Sequence, residues 1–319
     1  MEQYEYASCR DFIGPALVEL AGQNSRIAVV DADLASSVTT HLFQKAYPDR
    51  FFEMGIAEQS CMGVATGLAS EGMIPFFASM AMFTAGTAWT QLRQACYAKR
   101  NIKVIGSHAG VDDGPDGASH HACEDLALTR TIPGLTVMTP GDKWELIAAI
   151  QKAAEMNGPV YLRVPRDNTP ILHVQGCGFV PGKAELLRDT GDDFAIVYEG
   201  AAAGQAAAGY DLLQQQGARG KLVALRTVKP LDTARLTQLA QAVQVIITVE
   251  NHSILGGVGG AVAEVLAEQQ TTAVLRRVGI LDVFTESGKI ADIKQKYKLT
   301  AEQVALQYAS ATGGPAGIK

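Results

Sequence analysis

The sequence has no apolar run approaching the roughly 18 residues needed to span a bilayer. Met1 to Tyr6 show no basic stretch followed by an apolar one, so no signal peptide is expected. No block of lysine and arginine stands out against a net charge of −6, which sets nucleic acid aside as a partner. Cysteine is scarce. The five residues Cys9, Cys61, Cys96, Cys123 and Cys177 are odd in number and widely spaced, and none forms a CxxC pair. They read as reduced thiols of a cytoplasmic protein. No internal repeat is visible. What remains is globular material: 47% hydrophobic and 19% charged residues over 319 positions, enough for substantial cores and a length that favours two domains.

Short β-branched runs alternate with longer helical stretches. Strands are predicted over Arg26–Val30, Ile102–Gly106, Leu135–Met138, Val160–Val164, Ala195–Tyr198, Leu222–Leu225, Val245–Val249 and Ala273–Arg276. Helices are predicted over stretches such as Asp142–Met156, with Glu145 in its first turn, and Gln205–Gln216. The alternation implies α/β domains of three layers with mostly parallel sheets, and runs such as Val245–Val249, apolar on both faces, fit strands covered on each side. The Gly- and Pro-rich stretch Gln175–Asp193 is the expected boundary, between a domain over 1–180 and one over 190–319. The tail Thr312–Lys319 is expected to be disordered.

Three groups of residues could carry chemistry. Glu58, in Phe51-Phe52-Glu53-Met54-Gly55-Ile56-Ala57-Glu58-Gln59, stands in the first turn of a predicted helix, where the helix dipole alone would favour a carboxylate. The small residues that follow (Gly63, Ala65, Gly67 and Ala69) let another backbone approach closely, as at a subunit interface, where a buried carboxylate needs a partner or a raised pKa. His108 follows the predicted strand Ile102–Gly106, with Asp116 and His120 in the loop beyond it; ligands gather at such carboxyl ends. Metal binding by His108, His120, His121 and Asp116 competes, although the spacing matches no recognised ligand pattern. Arg163 and Arg166 close another predicted strand and Arg10 opens the first predicted helix. The planar guanidinium suits phosphate, and a surface ion pair is the plainer alternative for each alone.

Together these motifs resemble the pyrimidine-binding half of the transketolase family, and the likeness runs from Arg10 to about Ala309. The resemblance implies a thiamine diphosphate enzyme. The cofactor's thiazolium carbon loses its proton to the aminopyrimidine in its imino tautomer, which a carboxylate on the pyrimidine ring nitrogen favours; Glu58 matches that carboxylate. Phe83, in Pro75-Phe76-Phe77-Ala78-Ser79-Met80-Ala81-Met82-Phe83-Thr84, matches the aromatic that stacks on the pyrimidine. Met80 stands where the family often has phenylalanine, and Gly86 where many members have tyrosine. Asp33 matches an aspartate near the cofactor. His108 and His120 match residues that contact the donor's hydroxyls and its developing negative charge, and Asp116 one that recognises a sugar hydroxyl. Arg10, Ser37 and Arg166 match the residues that hold the acceptor's phosphate.

The family's signature for the diphosphate and metal, Gly-Asp-Gly followed about 25–30 residues on by Asn, is absent. The resemblance therefore implies one chain of a split enzyme. Its partner would bear that motif and the Mg²⁺ or Ca²⁺, in a heterotetramer of two copies each, and no metal ligand is expected on this chain. The implied reaction is transfer of a two-carbon ketol unit from a ketose phosphate to an aldose, as in pentose phosphate metabolism. A 2-oxo acid dehydrogenase beta subunit and a 1-deoxyxylulose-5-phosphate synthase-like enzyme stay open; the latter usually carries arginine at the position of His108. So does a non-catalytic assembly or regulatory subunit. In the second domain, Glu250-Asn251-His252-Ser253-Ile254-Leu255-Gly256-Gly257-Val258-Gly259-Gly260 resembles the family's C-terminal domain. It lacks a proper G-x-G-x-x-G for dinucleotide binding. The glycines are expected to serve a tight turn, the domain to stabilise dimerisation, and His252 at most to line the mouth of a site.

Overall fold

The computed structural model describes residues 4–269 and 271–313. Two mostly parallel sheets organise the chain. The first has seven strands in the order Thr227–Lys229, Thr136–Met138, Val160–Arg163, Lys103–Ser107, Ile74–Met80, Ile27–Asp31, Phe51–Glu53, and only Thr227–Lys229 runs antiparallel to its neighbour. The second has five, in the order Val274–Ile280, Val245–Ser253, Phe194–Tyr198, Gly220–Ala224, Glu185–Asp189, with the last antiparallel. The inner strands Ile27–Asp31, Ile74–Met80 and Lys103–Ser107 are buried along their whole length, because helices cover both faces. Lys103 is buried with them. It spends its ammonium on the Asn101 side chain at 2.7 Å and on the carbonyls of Met156 and Gly158 at 2.8 Å, and burial lowers its pKa to about 7.

The predicted helix Asp142–Met156 is observed as Lys143–Glu155. Asp142 is its N-cap, accepting the Trp144 and Glu145 N–H groups at 3.0 Å. The predicted Gln205–Gln216 is observed as Ala203–Gln215. Strand Ile74–Met80 is absent from the sequence prediction; Pro75, which cannot donate to a sheet, sits at its second position. The stretch Gln175–Asp193 is not wholly linker, since Glu185–Asp189 pairs with Gly220–Ala224. Thr227–Lys229 in turn leaves the second half of the chain to close an edge of the first sheet. One apolar core runs through both halves, joining Val30, Phe77 and Val104 to Val197, Ile246 and Val262. The last helix, Ala301–Thr312, ends at Gly313 in a left-handed cap, one residue beyond the expected start of the tail; residues 314–319 lie outside the described residues. No helix among the described residues is long and apolar enough to cross a membrane.

Candidate active-site half

The strand order of the first sheet reverses at Ile27–Asp31. The next strand in sequence, Phe51–Glu53, lies on one side of it and the following one, Ile74–Met80, on the other. In an open parallel sheet such a switch point opens a crevice at the strands' carboxyl ends. Asp33, Met80 and Phe83 follow or end these two strands, and His108 directly follows the adjacent strand Lys103–Ser107. Asp33 and His108 both have φ near +61°, a conformation that non-glycine residues adopt only under constraint. Asp33 is exposed, and its backbone N–H donates to the Glu53 carboxylate at 2.9 Å, which also accepts from Gly55 at 2.9 Å.

Glu58 opens the helix Glu58–Ser70. It is only 7% exposed, yet its carboxylate has no hydrogen bond or ion pair among the described residues. The helix leans on the π-helical turn Met82–Thr87, where the Gln59 side chain donates to the Thr87 carbonyl at 3.1 Å. Phe83 is half-buried in that turn and meets the His120 ring edge-on, with centroids 5.2 Å apart and planes at 81°. Met80 is buried below.

His108 is 2% exposed and shares a 3.1 Å contact between its Nδ1 and the Ser107 hydroxyl. Burial pushes its pKa down to about 3, with help from the positive charges of Arg166 and Arg10 and against the pull of Asp116. The imidazole is therefore neutral near pH 7 and can offer a hydrogen bond but no charge. The charges of Arg166, Arg10, Asp116 and His120 all act on the His108 ring. Asp116 is exposed, in the 3₁₀ turn Gly114–Ser119, and the Ser119 hydroxyl lies 2.9 Å from His120 Nδ1. Arg166 is oriented by Asp113 at 2.7 Å. Burial and the nearby Asp116 raise the Asp113 pKa to about 6, against the pull of Arg166. Arg10 keeps a buried Nε with no hydrogen-bond partner among the described residues. Ser37 is half-buried on the loop after Ile27–Asp31. Thr39 of that loop donates to the Arg10 carbonyl at 3.1 Å, which holds the loop against the Arg10 segment.

Two sequence readings are corrected. Arg163 does not join the phosphate-type arginines. It is fully buried, pairing with Asp125 at 2.8 Å and Glu199 at 2.9 Å and donating to the Ala122 and Asn251 carbonyls, so it clasps the two halves together. His252 lines no mouth: it is 0% exposed, and its Nδ1 lies 2.6 Å from the Ser253 carbonyl. The competing metal site does not form, since no group of three or more His, Cys, Asp or Glu among the described residues is placed to hold an ion. His121 instead meets the Thr285 hydroxyl at 2.6 Å. Sequence reasoning passed over Asp112, Asp113 and Lys294. The two aspartates stand beside Gly114 in the Asp-rich loop already singled out, whereas nothing local marks Lys294.

Residues 5–171 match the transketolase pyrimidine binding domain and residues 182–304 the transketolase C-terminal domain. The chain is 40% identical to an inferred transketolase C-terminal section of Methanocaldococcus jannaschii, over 94% of this chain and 95% of that one. It is 36% identical to the 6-deoxy-6-sulfo-D-fructose transketolase subunit SqwH of Clostridium sp. (strain MSTE9), over 92% and 91%. Its fold is similar to that of a split-gene transketolase solved as an inactive β4 tetramer, with a TM-score of 0.87 and 39% identity, covering 97% of this chain and 99% of that one.

Proposed function

The chain belongs to the transketolase family, and we propose that it is one subunit of a split, thiamine diphosphate-dependent transketolase that works with a partner chain in the cytoplasm. The observation that carries this is Glu58, a side chain only 7% exposed whose carboxylate takes no hydrogen bond among the described residues, on the helix that leans on the Phe83 turn, with Phe83 against His120. The Glu58 oxygens stay open to a ligand, and a protonated pyrimidine ring nitrogen is a donor that suits them. Glu58 would hold the pyrimidine, with Phe83 and Met80 against its face and Asp33 nearby. When bound, thiamine diphosphate supplies the nucleophilic carbon for cleaving and reforming a carbon–carbon bond.

This chain's own residues bind and orient the sugars. His120 and the neutral His108 hydrogen-bond the donor's hydroxyls and the charge that develops on its oxygen, and Asp116 accepts from a sugar hydroxyl. Arg10, Ser37 and Arg166 hold the acceptor's phosphate, which would give Arg10 Nε, now 3.7 Å from the Asp11 carboxylate, a hydrogen-bond acceptor. The partner holds the diphosphate and the Mg²⁺ or Ca²⁺ through a Gly-Asp-Gly…Asn motif, in a heterotetramer of two copies each.

The test is affinity purification of the chain from its host, identification of the co-purifying subunit, and assay of ketol transfer from xylulose 5-phosphate to ribose 5-phosphate with thiamine diphosphate and Mg²⁺. A partner bearing the motif, with activity, is expected. Such a partner without activity would point to another donor or to a 2-oxo acid. Purification alone, without partner or activity, would favour a non-catalytic subunit.

A further inference from the structure

The His108–His120 loop does not rest on the first sheet alone. Asn251, from the Gly-rich motif's strand, accepts the Val111 N–H at 3.0 Å through its side-chain oxygen. The Gly288 N–H donates to the Gly114 carbonyl at 3.1 Å. The approach is so close that a Cβ on Gly110 would lie 2.2 Å from the Asn251 side-chain oxygen, and one on Gly117 2.3 Å from the Ser287 hydroxyl. At the centre of this contact is Asp112, 0% exposed. Its Oδ1 accepts from the Asn251 side chain at 2.8 Å and lies 3.1 Å from the Lys294 ammonium. Its Oδ2 accepts the backbone N–H groups of Arg166 at 3.3 Å and Asp167 at 3.2 Å. Lys294 also reaches the Asp167 carboxylate at 2.8 Å. One carboxylate thus faces the second half of the chain with one oxygen and the Arg166 segment with the other, while its neighbour Asp113 holds the Arg166 guanidinium.

We propose that Lys294 and Asn251 are positioning residues for the substrate half-site, acting through Asp112 to fix the backbone of Arg166 and the loop between His108 and His120. The proposal rests on the transketolase function above. It gives the second half of the chain a part in substrate geometry beyond assembly. The physical reason is compensation. A buried carboxylate is tolerated only while its donors are in place, and losing a charged partner leaves it to move or to seek other donors. Lys294 suits that role. Burial lowers its pKa, but Asp112 and Asp167 outweigh that and raise it, so the ammonium stays charged. The polar contacts of their side chains run to Asp112, Asp167 and the backbone of Ala109 and Val111, so their effect on substrate passes through the segment that they hold.

The test is Lys294→Met in the assembled two-subunit enzyme, with kinetics for a phosphorylated and a non-phosphorylated aldose acceptor. The apparent KM for the phosphorylated acceptor should rise roughly tenfold, several times more than that for the other acceptor, while kcat, which depends on the same His108–His120 loop, falls by a smaller factor for both. Lys294→Arg should restore most of the loss. In the chain by itself, amide exchange should quicken at residues 109–116 and 166–168 while strand Val245–Ser253 keeps its protection. An equal fall in kcat for both acceptors without that difference in KM, and with faster exchange throughout the second sheet, would overturn the proposal in favour of a purely structural role. Unchanged kinetics with unchanged exchange would overturn it outright. If Lys294→Met does not fold, Lys294→Gln takes its place under the same criteria. A wild-type assembly that transfers no ketol unit would defeat the functional assignment instead, and the exchange pattern would then decide the positioning role.

Discussion

Glu58 is nearly enclosed as a residue, at 7% exposure, yet its carboxylate takes no hydrogen bond among the described residues. Its oxygens are not sealed from solvent, so the acceptor is open to a ligand's donor. Glu58→Gln removes the charge and keeps the shape. Melting temperature and partner affinity are expected to stay within the ordinary scatter of surface variants, while turnover falls by two or more orders of magnitude, roughly the scale of losing a principal electrostatic group. A variant that melts early and loses its partner would make Glu58 a structural carboxylate. His108 is constrained differently. Its left-handed backbone and its burial fix a neutral ring at the strand's end, so it serves by geometry rather than charge.

At the scale of elements, two sets of glycines serve opposite ends. Glu250 is buried, and burial lifts its pKa to about 8, although the Val258 and Gly259 N–H groups at the start of helix Val258–Glu268 donate to it at 2.6 and 3.0 Å. The Gly-rich turn therefore cradles a side chain of its own protein where a dinucleotide fold would cradle phosphate. A Cβ on Gly257 would lie 2.0 Å from the Glu250 carboxylate and 2.6 Å from His252, so Gly257→Ala should cost about 1–3 kcal/mol in denaturant melts. Gly63, on the exposed face of helix Glu58–Ser70, has nothing within 4 Å of such an atom. Gly63→Ala should stabilise the isolated chain by about 0.5–1 kcal/mol. If this face packs in the assembly, the same variant should weaken it, read by sedimentation; gains in both would free the helix from any interface. The sheets and their covering helices were legible because apolar runs and an Asp cap are local signals. Pro75 hid a central strand and the Gly-rich linker hid an edge strand. Asn251 and Lys294 were illegible, because their partner Asp112 lies 139 or more residues away.

At the scale of the whole molecule, two further buried charge clusters join the halves besides Lys294 with Asp112 and Asp167. Arg163 with Asp125 and Glu199 is one. The other centres on His173, where the chain leaves the first sheet. Its Nδ1 lies 2.8 Å from the Asp142 helix cap, with Glu145 at 3.9 Å and Glu185 at 3.4 Å from its Nε2. Arg226, from the second half, meets Glu145 at 2.5 Å and Glu185 at 2.8 Å. Burial by itself would lower the His173 pKa. The hydrogen bond to Asp142 and the charges of Glu145, Asp142 and Glu185 outweigh it and raise the value to about 9. The folded chain therefore holds a proton that the unfolded chain releases near 6.5, so the stabilisation is complete below 6.5 and is lost as pH climbs through 9. Asp142 works in the opposite direction. Burial would raise its pKa, but His173 and the backbone N–H groups lower it below 3.8, and its contribution fades as pH falls through that lowered value. His173→Gln should therefore lower the melting temperature most near pH 6.5, by the equivalent of a few kcal/mol, with the gap to wild type closing above pH 9. A gap that stays constant from pH 6.5 to beyond 9 would mean that the ring packs as a neutral side chain and that Arg226 alone carries the junction's charge.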